Sequence, residues 1–123
     1  MSGTLPSLDA PGERGSTWHP TVAVVIPTLD ESERIDACLA AVDAQTYDGV
    51  TEVLVVDGGS TDDTVALARR HRLVDVLSNP RRIQAAALNV ALRSTRAEVV
   101  VRVDGHCVIE PDYVERCVAA LAA

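Results

Sequence analysis

The sequence alternates short apolar runs with polar, helix-like stretches, and each apolar run leads directly into a cluster of polar residues. The four runs are predicted strands at residues 22–26, 52–56, 74–77 and 99–103. Strands that alternate with helices of about ten residues or more are typical of βαβ units and a parallel sheet. The pattern therefore predicts an open α/β fold. It places the polar clusters at the carboxyl ends of the strands, where open sheets of this class bind ligands.

The helix-like stretches carry apolar residues at helical spacing and allow the order of the strands to be predicted. In the first helix, expected after Ser32, one apolar face is formed by Ile35, Cys38, Leu39 and Val42. The other three helices are expected from an N-cap at Thr61 to about His71, from Ile83 to Ser94, and from Pro111 onward. Right-handed crossovers leave few topologies, and we expect the strand order 3-2-1-4 with flanking helices. The polar ends of strands one and four then flank one crevice.

Length, charge and cysteine content narrow the class of protein. A chain of 123 residues with 47% hydrophobic content is long enough for one domain with a core. Its net charge of -7 argues against nucleic acid or anionic lipid as a partner. The three cysteines form no CxxC pair, which favours a reduced, cytoplasmic compartment. Residues 1–20 lack the apolar region of a signal peptide and are expected to be a disordered leader.

Asp57, at the end of the second strand, is followed by Gly58 and Gly59. A carboxylate at this position can accept hydrogen bonds from a base edge or from ribose hydroxyls, and the glycines let backbone approach a ligand closely. Alternatively, Asp57 satisfies the backbone donors of an ordinary turn, and the residues themselves leave both interpretations open. The chain contains neither GxGxxG nor GxxxxGK[ST], so both common phosphate-binding loops are absent from the sequence.

Asp104 and His106, after the fourth strand, form a candidate cation site. Side chains two residues apart at a strand end project to the same side. A carboxylate with an imidazole suits Mn²⁺, and a carboxylate with waters and phosphate oxygens suits Mg²⁺; the alternative is a solvated surface turn. Cys107 beside His106 raises the question of zinc, but the absence of a second ligand pair in the sequence argues against it. Arg82, after the third strand, is a candidate phosphate ligand or a solvated loop charge.

Three of these segments resemble the inverting family 2 glycosyltransferases, which have a GT-A fold. The segments are VVIPTLDE at residues 24–31, VVDGGSTD at 55–62 and VRVDGH at 101–106. The stretch NPRRIQAAALN at residues 79–89 is similar to the branch that builds bacterial exopolysaccharides such as succinoglycan. The resemblance covers residues 20–122, and it is specific because three ordered motifs match at three strand ends. It implies that residues 21–123 are the nucleotide-sugar-binding part of such a domain, truncated at the C-terminus.

The resemblance also implies ligands and roles for individual residues. The donor is a nucleoside-diphosphate sugar, with a UDP-sugar foremost, and the cofactor is Mn²⁺ or Mg²⁺. Asp57 corresponds to the base ligand, Asp104 to the first acid of the DxD motif, and His106 to the second acid, so that an imidazole stands where the family usually has a carboxylate. Gly58 stands where many members have a second aspartate. The complete set of implied donor-binding residues is Pro27, Thr28, Asp30, Glu31, Asp57, Arg82 and Asp104.

The family resemblance places the general base, the acceptor-binding half and any membrane-associating segments downstream of Ala123. We therefore expect the complete protein to transfer sugar to an acceptor glycan or lipid-linked sugar, in the cytoplasm or at the inner face of the plasma membrane, and this chain alone to be inactive. Two other functions stay open. One is a non-catalytic or degenerate nucleotide-binding module. The other is an unrelated doubly wound domain, which the lack of lysine and of GxGxxG disfavours.

Overall fold

The computed structural model describes residues 18–82 and 84–123, so Ile83 and most of the predicted leader lie outside the described residues. Strands and helices alternate along the whole domain. In chain order they are β1 (Val22–Thr28), α1 (Ile35–Asp43), β2 (Val50–Asp57), α2 (Thr64–Ala68), β3 (Val74–Ser78), α3 (Gln84–Ser94), β4 (Val99–Arg102) and α4 (Tyr113–Ala122).

The four strands form one parallel sheet in the order β3-β2-β1-β4, which confirms the predicted topology. β1 is central, and it pairs with β2 on one side and with β4 on the other. The register aligns Thr28 with Asp57, and Asp57 with Ser78. Because the strands are parallel, their last residues therefore lie side by side along one edge of the sheet.

The core lies on both faces of the sheet, which explains why β1 is a continuous apolar run. All seven residues of β1 are buried. On one face, alternate β1 residues pack against α1, α2 and α4, and the buried residues there include Val24, Ile35 and Val114. On the other face, Val25 packs with Ala87 of α3. Full burial of one such aliphatic side chain stabilises the fold by about 1.5–3 kcal/mol.

Two helices differ from the prediction. α2 is shorter than the predicted 61–71, since it begins at Thr64 and ends at Ala68. Thr61 lies in the preceding loop, where its N–H donates to the Asp30 carboxylate at 2.8 Å. α4 begins at Tyr113, two residues beyond Pro111, and its last apolar residue, Leu121, is exposed. Within residues 18–82 and 84–123, no helix has the length and apolar character that a bilayer span requires.

Candidate functional site

A crevice of about 190 Å³ opens at the carboxyl ends of β1 and β2. This volume is below the usual range for small-molecule sites, about 300–1,000 Å³. The sequence predicted a crevice flanked by the polar ends of strands one and four, but the described lining comes from the ends of β1 and β2 and from the turn after β3, and residues 104–106 are not part of it. Four of the predicted donor-binding residues line it, namely Pro27, Thr28, Glu31 and Arg82, together with Leu29, Val56, Gly58 and Asn79. The parallel register brings these residues together, since they come from three separate segments of the chain.

Asp57 lies beneath this crevice and is only 6% exposed. Its carboxylate accepts hydrogen bonds from the Thr28 hydroxyl at 2.8 Å, the Gly59 N–H at 3.0 Å, the Ser60 N–H at 2.7 Å and the Ser60 hydroxyl at 2.5 Å. An ionised carboxylate offers about four lone-pair positions, and these four donors fill them. A base edge can therefore reach Asp57 only by displacing one of the two hydroxyls.

The same hydrogen bonds determine the charge of Asp57. Burial alone raises the pKa of a carboxyl group, but donation from Ser60, Thr28 and Gly59 outweighs burial here, so the pKa of Asp57 lies below its ordinary value. The group is therefore a carboxylate at neutral pH. It contributes one fixed negative charge below the crevice.

Asp30 joins the loop after β1 to the loop after β2. Its carboxylate accepts from the Thr61 N–H at 2.8 Å, and its own N–H donates to the Ser60 hydroxyl at 2.8 Å. A further hydrogen bond between the same two loops runs from the Ser32 N–H to the Asp62 carboxylate at 3.2 Å. Asp30 itself is exposed, with a left-handed φ of 53°. These bonds hold the rim of the crevice in place without a ligand.

Arg82 reaches the crevice because Gly58 leaves room for its backbone. A Cβ at position 58 would lie 3.3 Å from the Cα of Arg82, tighter than ordinary van der Waals contact. Arg82 has a left-handed φ of 65°, and its N–H donates to the Asn79 carbonyl at 3.1 Å, which closes the turn after β3. Gly58 therefore lets the turn after β3 pack on the end of β2. The resemblance implies a second aspartate at this position in many family members.

Asp104, His106 and Cys107 form a cluster of candidate metal ligands. One ligand atom from each lies within 4.8 Å of the others. The three come together in a β-turn, since the Cys107 N–H donates to the Asp104 carbonyl at 2.9 Å. The Nδ1 atom of His106 lies 3.7 Å from Oε2 of Glu31, and Oδ1 of Asp104 accepts from Arg102 at 3.1 Å. Glu31 therefore belongs both to the crevice wall and to the surroundings of this cluster.

Cys38 is a buried cysteine that contacts this turn, and its thiol is chemically unreactive. Its thiol donates to the carbonyl of Asp104 at 3.5 Å. Burial, with added effects from Cys107, Glu31 and Asp104, raises the pKa of Cys38 to about 12. The thiol of Cys38 therefore stays protonated at neutral pH and contributes no negative charge to the site.

Gly105 fixes the distance between the cluster and the crevice. A Cβ at this position would lie 3.1 Å from Cγ2 of Thr28, 3.3 Å from Cγ of Glu31 and 3.4 Å from the Pro27 carbonyl oxygen. The turn after β4 therefore packs directly on the end of β1, and a larger residue at this position would have to displace its neighbours by a few tenths of an ångström.

Substitution Gly105→Ala should push the turn away from β1 and weaken cation binding by several-fold. The added methyl meets two side chains and one backbone oxygen, and overpacking of this kind costs about 1–3 kcal/mol of stability. Urea unfolding would measure the stability, and calorimetric titration with Mn²⁺ would measure the affinity.

The matched control for this variant is Gly59→Ala. Gly59 has a φ of 100°, and a Cβ there would meet no atom of the described residues within 4 Å, so alanine strains the backbone without a steric contact. We expect Gly59→Ala to lower stability and to leave Mn²⁺ affinity unchanged. Equal Mn²⁺ affinities for wild type and Gly105→Ala would show that the cluster does not depend on this packing.

The structure thus separates the predicted site residues into three groups. Pro27, Thr28, Glu31 and Arg82 line the crevice, Asp57 and Asp30 organise its floor and rim, and Asp104 and His106 lie in the adjoining turn. Asp104 also lines a second cavity of about 440 Å³, bordered by Arg102, Val103, Cys107, Val108, Ile109, Glu110 and Tyr113. Sequence reasoning missed Ser60, whose part depends on contacts across loops, and it set Cys107 aside for want of a second ligand pair.

Comparison with known proteins adds sequence and structural relatives. The family model of glycosyl transferase family 2 matches residues 23–123. The chain is 38% identical over 101 residues to the succinoglycan biosynthesis protein ExoA of Rhizobium meliloti, a match that covers 77% of this chain and 31% of that protein. It is 34% identical over 109 residues to the glycosyltransferase AglE of Haloferax volcanii, which covers 84% of this chain and 36% of that protein. The chain spans about a third of the length of these two relatives.

Two solved structures are similar in fold. The mannosyltransferase PcManGT of Pyrobaculum calidifontis, solved with GDP-Man and Mn²⁺, has a TM-score of 0.79 and 34% identity, over 87% of this chain and 34% of that one. Glucosyl-3-phosphoglycerate synthase of Mycobacterium tuberculosis, solved with Mn²⁺, UDP and glucosyl-3-phosphoglycerate, has a TM-score of 0.71 and 27% identity. That match covers 99% of this chain and 47% of the synthase. The fold of this chain is therefore what it has in common with part of each of these structures.

Proposed function

The chain belongs to glycosyl transferase family 2, and we propose that it is the donor-binding part of a glycosyltransferase that uses a nucleoside-diphosphate sugar and a divalent cation. One observation carries the proposal: the candidate cation ligands abut the crevice. Gly105 packs on Thr28, and His106 lies beside Glu31, so a ligand in the crevice lies next to a cation at the turn. Phosphates need such a neighbour, because Glu31 lines the crevice and the Asp57 carboxylate lies below it.

The residues of the turn fit a divalent cation. Asp104 supplies a hard oxygen and His106 a borderline nitrogen, a combination that suits Mn²⁺ and also Mg²⁺. Metal-binding histidines almost always direct their second ring nitrogen at a carboxylate or another acceptor, and Glu31 is 3.7 Å from Nδ1 of His106. A bound cation would neutralise charge on the departing diphosphate. The Mn²⁺ in both solved neighbours supports this assignment.

Each lining residue has a proposed role in binding the donor. Arg82 contacts phosphate through its guanidinium, since the glycine-rich phosphate loops are absent from the sequence. Thr28 and Asp30, with Pro27, lie near the base and ribose, and Asp57 receives the base after a hydroxyl donor moves away. A uridine nucleotide is our first choice. One solved neighbour holds UDP and the other GDP-Man, so titration with both nucleotides decides between them.

The proposed reaction moves the sugar to an acceptor hydroxyl with inversion, in polysaccharide or glycoconjugate synthesis. ExoA, named for succinoglycan biosynthesis, supports an acceptor glycan or lipid-linked sugar, and we place the reaction in the cytoplasm or at the inner face of the plasma membrane. Two of the acids that follow His106 have partners outside the site. Glu115 accepts from the Thr46 hydroxyl at 2.7 Å, and Asp112 pairs with Arg116 at 3.2 Å. We assign no general base among them.

Calorimetric titration with UDP, GDP and their sugars, in Mn²⁺, in Mg²⁺ and in EDTA, tests the proposal. We expect binding in Mn²⁺ at least as tight as in Mg²⁺, and an affinity at least about ten-fold lower in EDTA, because several kcal/mol of charge stabilisation come from the cation. Equal affinity in EDTA and in Mn²⁺ would refute the cation-dependent site. A non-catalytic nucleotide-binding module would bind in the same way, and only a transfer assay on the full-length protein separates the two functions.

A further inference from the structure

Cys107 is the third member of the ligand cluster, and the proposed donor site gives it no role. Its sulfur lies within 4.8 Å of a carboxylate oxygen of Asp104 and of a ring nitrogen of His106. Cys107 is half-buried against the core that contains Cys38 and Val103, so its position is constrained by packing. A thiol, a carboxylate and an imidazole together form a different set of metal ligands from the carboxylate of Asp104 and the imidazole of His106 alone.

We propose that Cys107 is a third protein ligand of the cation at Asp104 and His106, so that this site prefers Zn²⁺ or Co²⁺ to Mg²⁺. The inference deepens the proposed cation site and shares with it the positions of Asp104 and His106. It does not depend on a nucleotide.

The backbone of the turn makes this coordination possible. Asp104 and Cys107 are the first and last residues of a β-turn closed by a hydrogen bond of 2.9 Å, so their Cα atoms are held close together, and His106 lies between them. With metal–ligand bonds of about 2.0–2.3 Å, tetrahedral ligand atoms lie about 3.4–3.8 Å apart. The three ligand atoms, which lie within 4.8 Å of one another, would have to approach to that spacing on metal binding.

The chemistry of the three ligands sets the order of metals. Thiolate is a soft ligand that favours Zn²⁺ and related ions, and affinity of such sites generally rises from Mn²⁺ through Co²⁺ to Zn²⁺. Mg²⁺ requires oxygen ligands and near-octahedral geometry, and gains nothing from sulfur. Three protein ligands with one open position are also the usual arrangement of zinc sites that accept an exogenous ligand. The lack of a second ligand pair in the sequence therefore does not exclude zinc here.

Addition of Co²⁺ alone to the protein tests the inference by absorption spectroscopy. Cobalt bound to a thiolate has a charge-transfer band in the near ultraviolet, and we expect this band in the wild type. It should be lost in Cys107→Ser and kept in Cys117→Ser, the matched control, because Cys117 is also half-buried but lies outside the ligand cluster. By calorimetry, Zn²⁺ affinity should fall at least about ten-fold in Cys107→Ser, while Mg²⁺ affinity is unchanged.

A second measurement uses the wild-type protein and does not require a variant to fold. Zn²⁺ should protect Cys107 from alkylation, as mapped by mass spectrometry, whereas Mg²⁺ should not. Binding of Co²⁺ without the charge-transfer band, or equal alkylation of Cys107 with and without Zn²⁺, would overturn the inference.

The test also distinguishes failure of this inference from failure of the proposed function. Mn²⁺-dependent nucleotide binding that persists without a thiolate band supports the donor site and overturns the role of Cys107. A thiolate band without nucleotide binding in any metal supports Cys107 as a ligand and overturns the donor site.

Discussion

Replacement of Asp57 by alanine is expected to lower the free energy of unfolding by about 3 kcal/mol or more. The carboxylate is buried and accepts four hydrogen bonds, and its removal leaves the Thr28 and Ser60 hydroxyls and two backbone N–H groups without their acceptor. Each unsatisfied buried donor costs about 1–3 kcal/mol, with partial relief from solvent. Urea unfolding followed by circular dichroism would measure the loss.

Asp75→Ala is the control for this prediction. Asp75 is an exposed residue of β3, and surface substitutions of this kind change stability by about 0.5 kcal/mol or less. A similar small loss in Asp57→Ala would mean that its four hydrogen bonds contribute little to the fold. If Asp57→Asn folds and binds every nucleotide as tightly as the wild type, Asp57 is not the base ligand.

The same carboxylate gives stability a defined pH dependence. The pKa of Asp57 is lower in the folded protein than its ordinary value, so its contribution is fully present above about pH 3.9 and is lost as the pH falls through the folded pKa. The Thr64 and Ser32 donors lower the pKa of Asp62 to about 2, which adds a contribution that is lost in the same direction. We expect Asp57→Asn to flatten the acid limb of the stability curve, and an unchanged limb would contradict this account.

The second large effect is expected at Asp104. Substitution Asp104→Ala should reduce cation-dependent nucleotide affinity at least about 100-fold, because it removes the hard oxygen ligand and leaves the diphosphate facing the remaining carboxylates. Stability should change little, since the side chain is half-exposed and its ion pair with Arg102 lies at the surface. Calorimetry with UDP or GDP in Mn²⁺ would measure the affinity, and the unfolding curve would show that the variant is folded.

Two further variants serve as comparisons for the nucleotide affinity of Asp104→Ala. Glu31→Gln keeps the size of the side chain beside His106 but removes its charge, and loss of such a supporting carboxylate typically costs about 10–100-fold in metal affinity. Asp75→Asn removes one negative charge far from the crevice and should leave the affinity unchanged. If Asp104→Ala binds nucleotide in Mn²⁺ as the wild type does, the cation lies elsewhere.

The sequence by itself determined the architecture and placed the candidate residues at the carboxyl ends of the strands. Both faces of β1 are buried, and for this reason the strand is a continuous apolar run in the sequence. The helical spacing of Ile35 and Leu39 identified the face of α1 that packs on the sheet. Right-handed crossovers then left 3-2-1-4 as the expected order, which the sheet has. These features depend on local periodicity and on chain connectivity, both of which are present in the order of residues.

Only the tertiary structure decided what each polar residue contacts. Thr28 and Asp57 are 29 residues apart and meet because of the β1–β2 register, which adds the Thr28 hydroxyl to the three donors that Gly59 and Ser60 supply locally. The bond from the Thr61 N–H to Asp30 and the tight packing of Gly105 depend likewise on loops from different segments. Cys107 joins Asp104 through a turn whose hydrogen bond no residue pattern specifies. Hydrogen bonds and ligand clusters depend on positions to within an ångström, and packing between distant segments sets those positions.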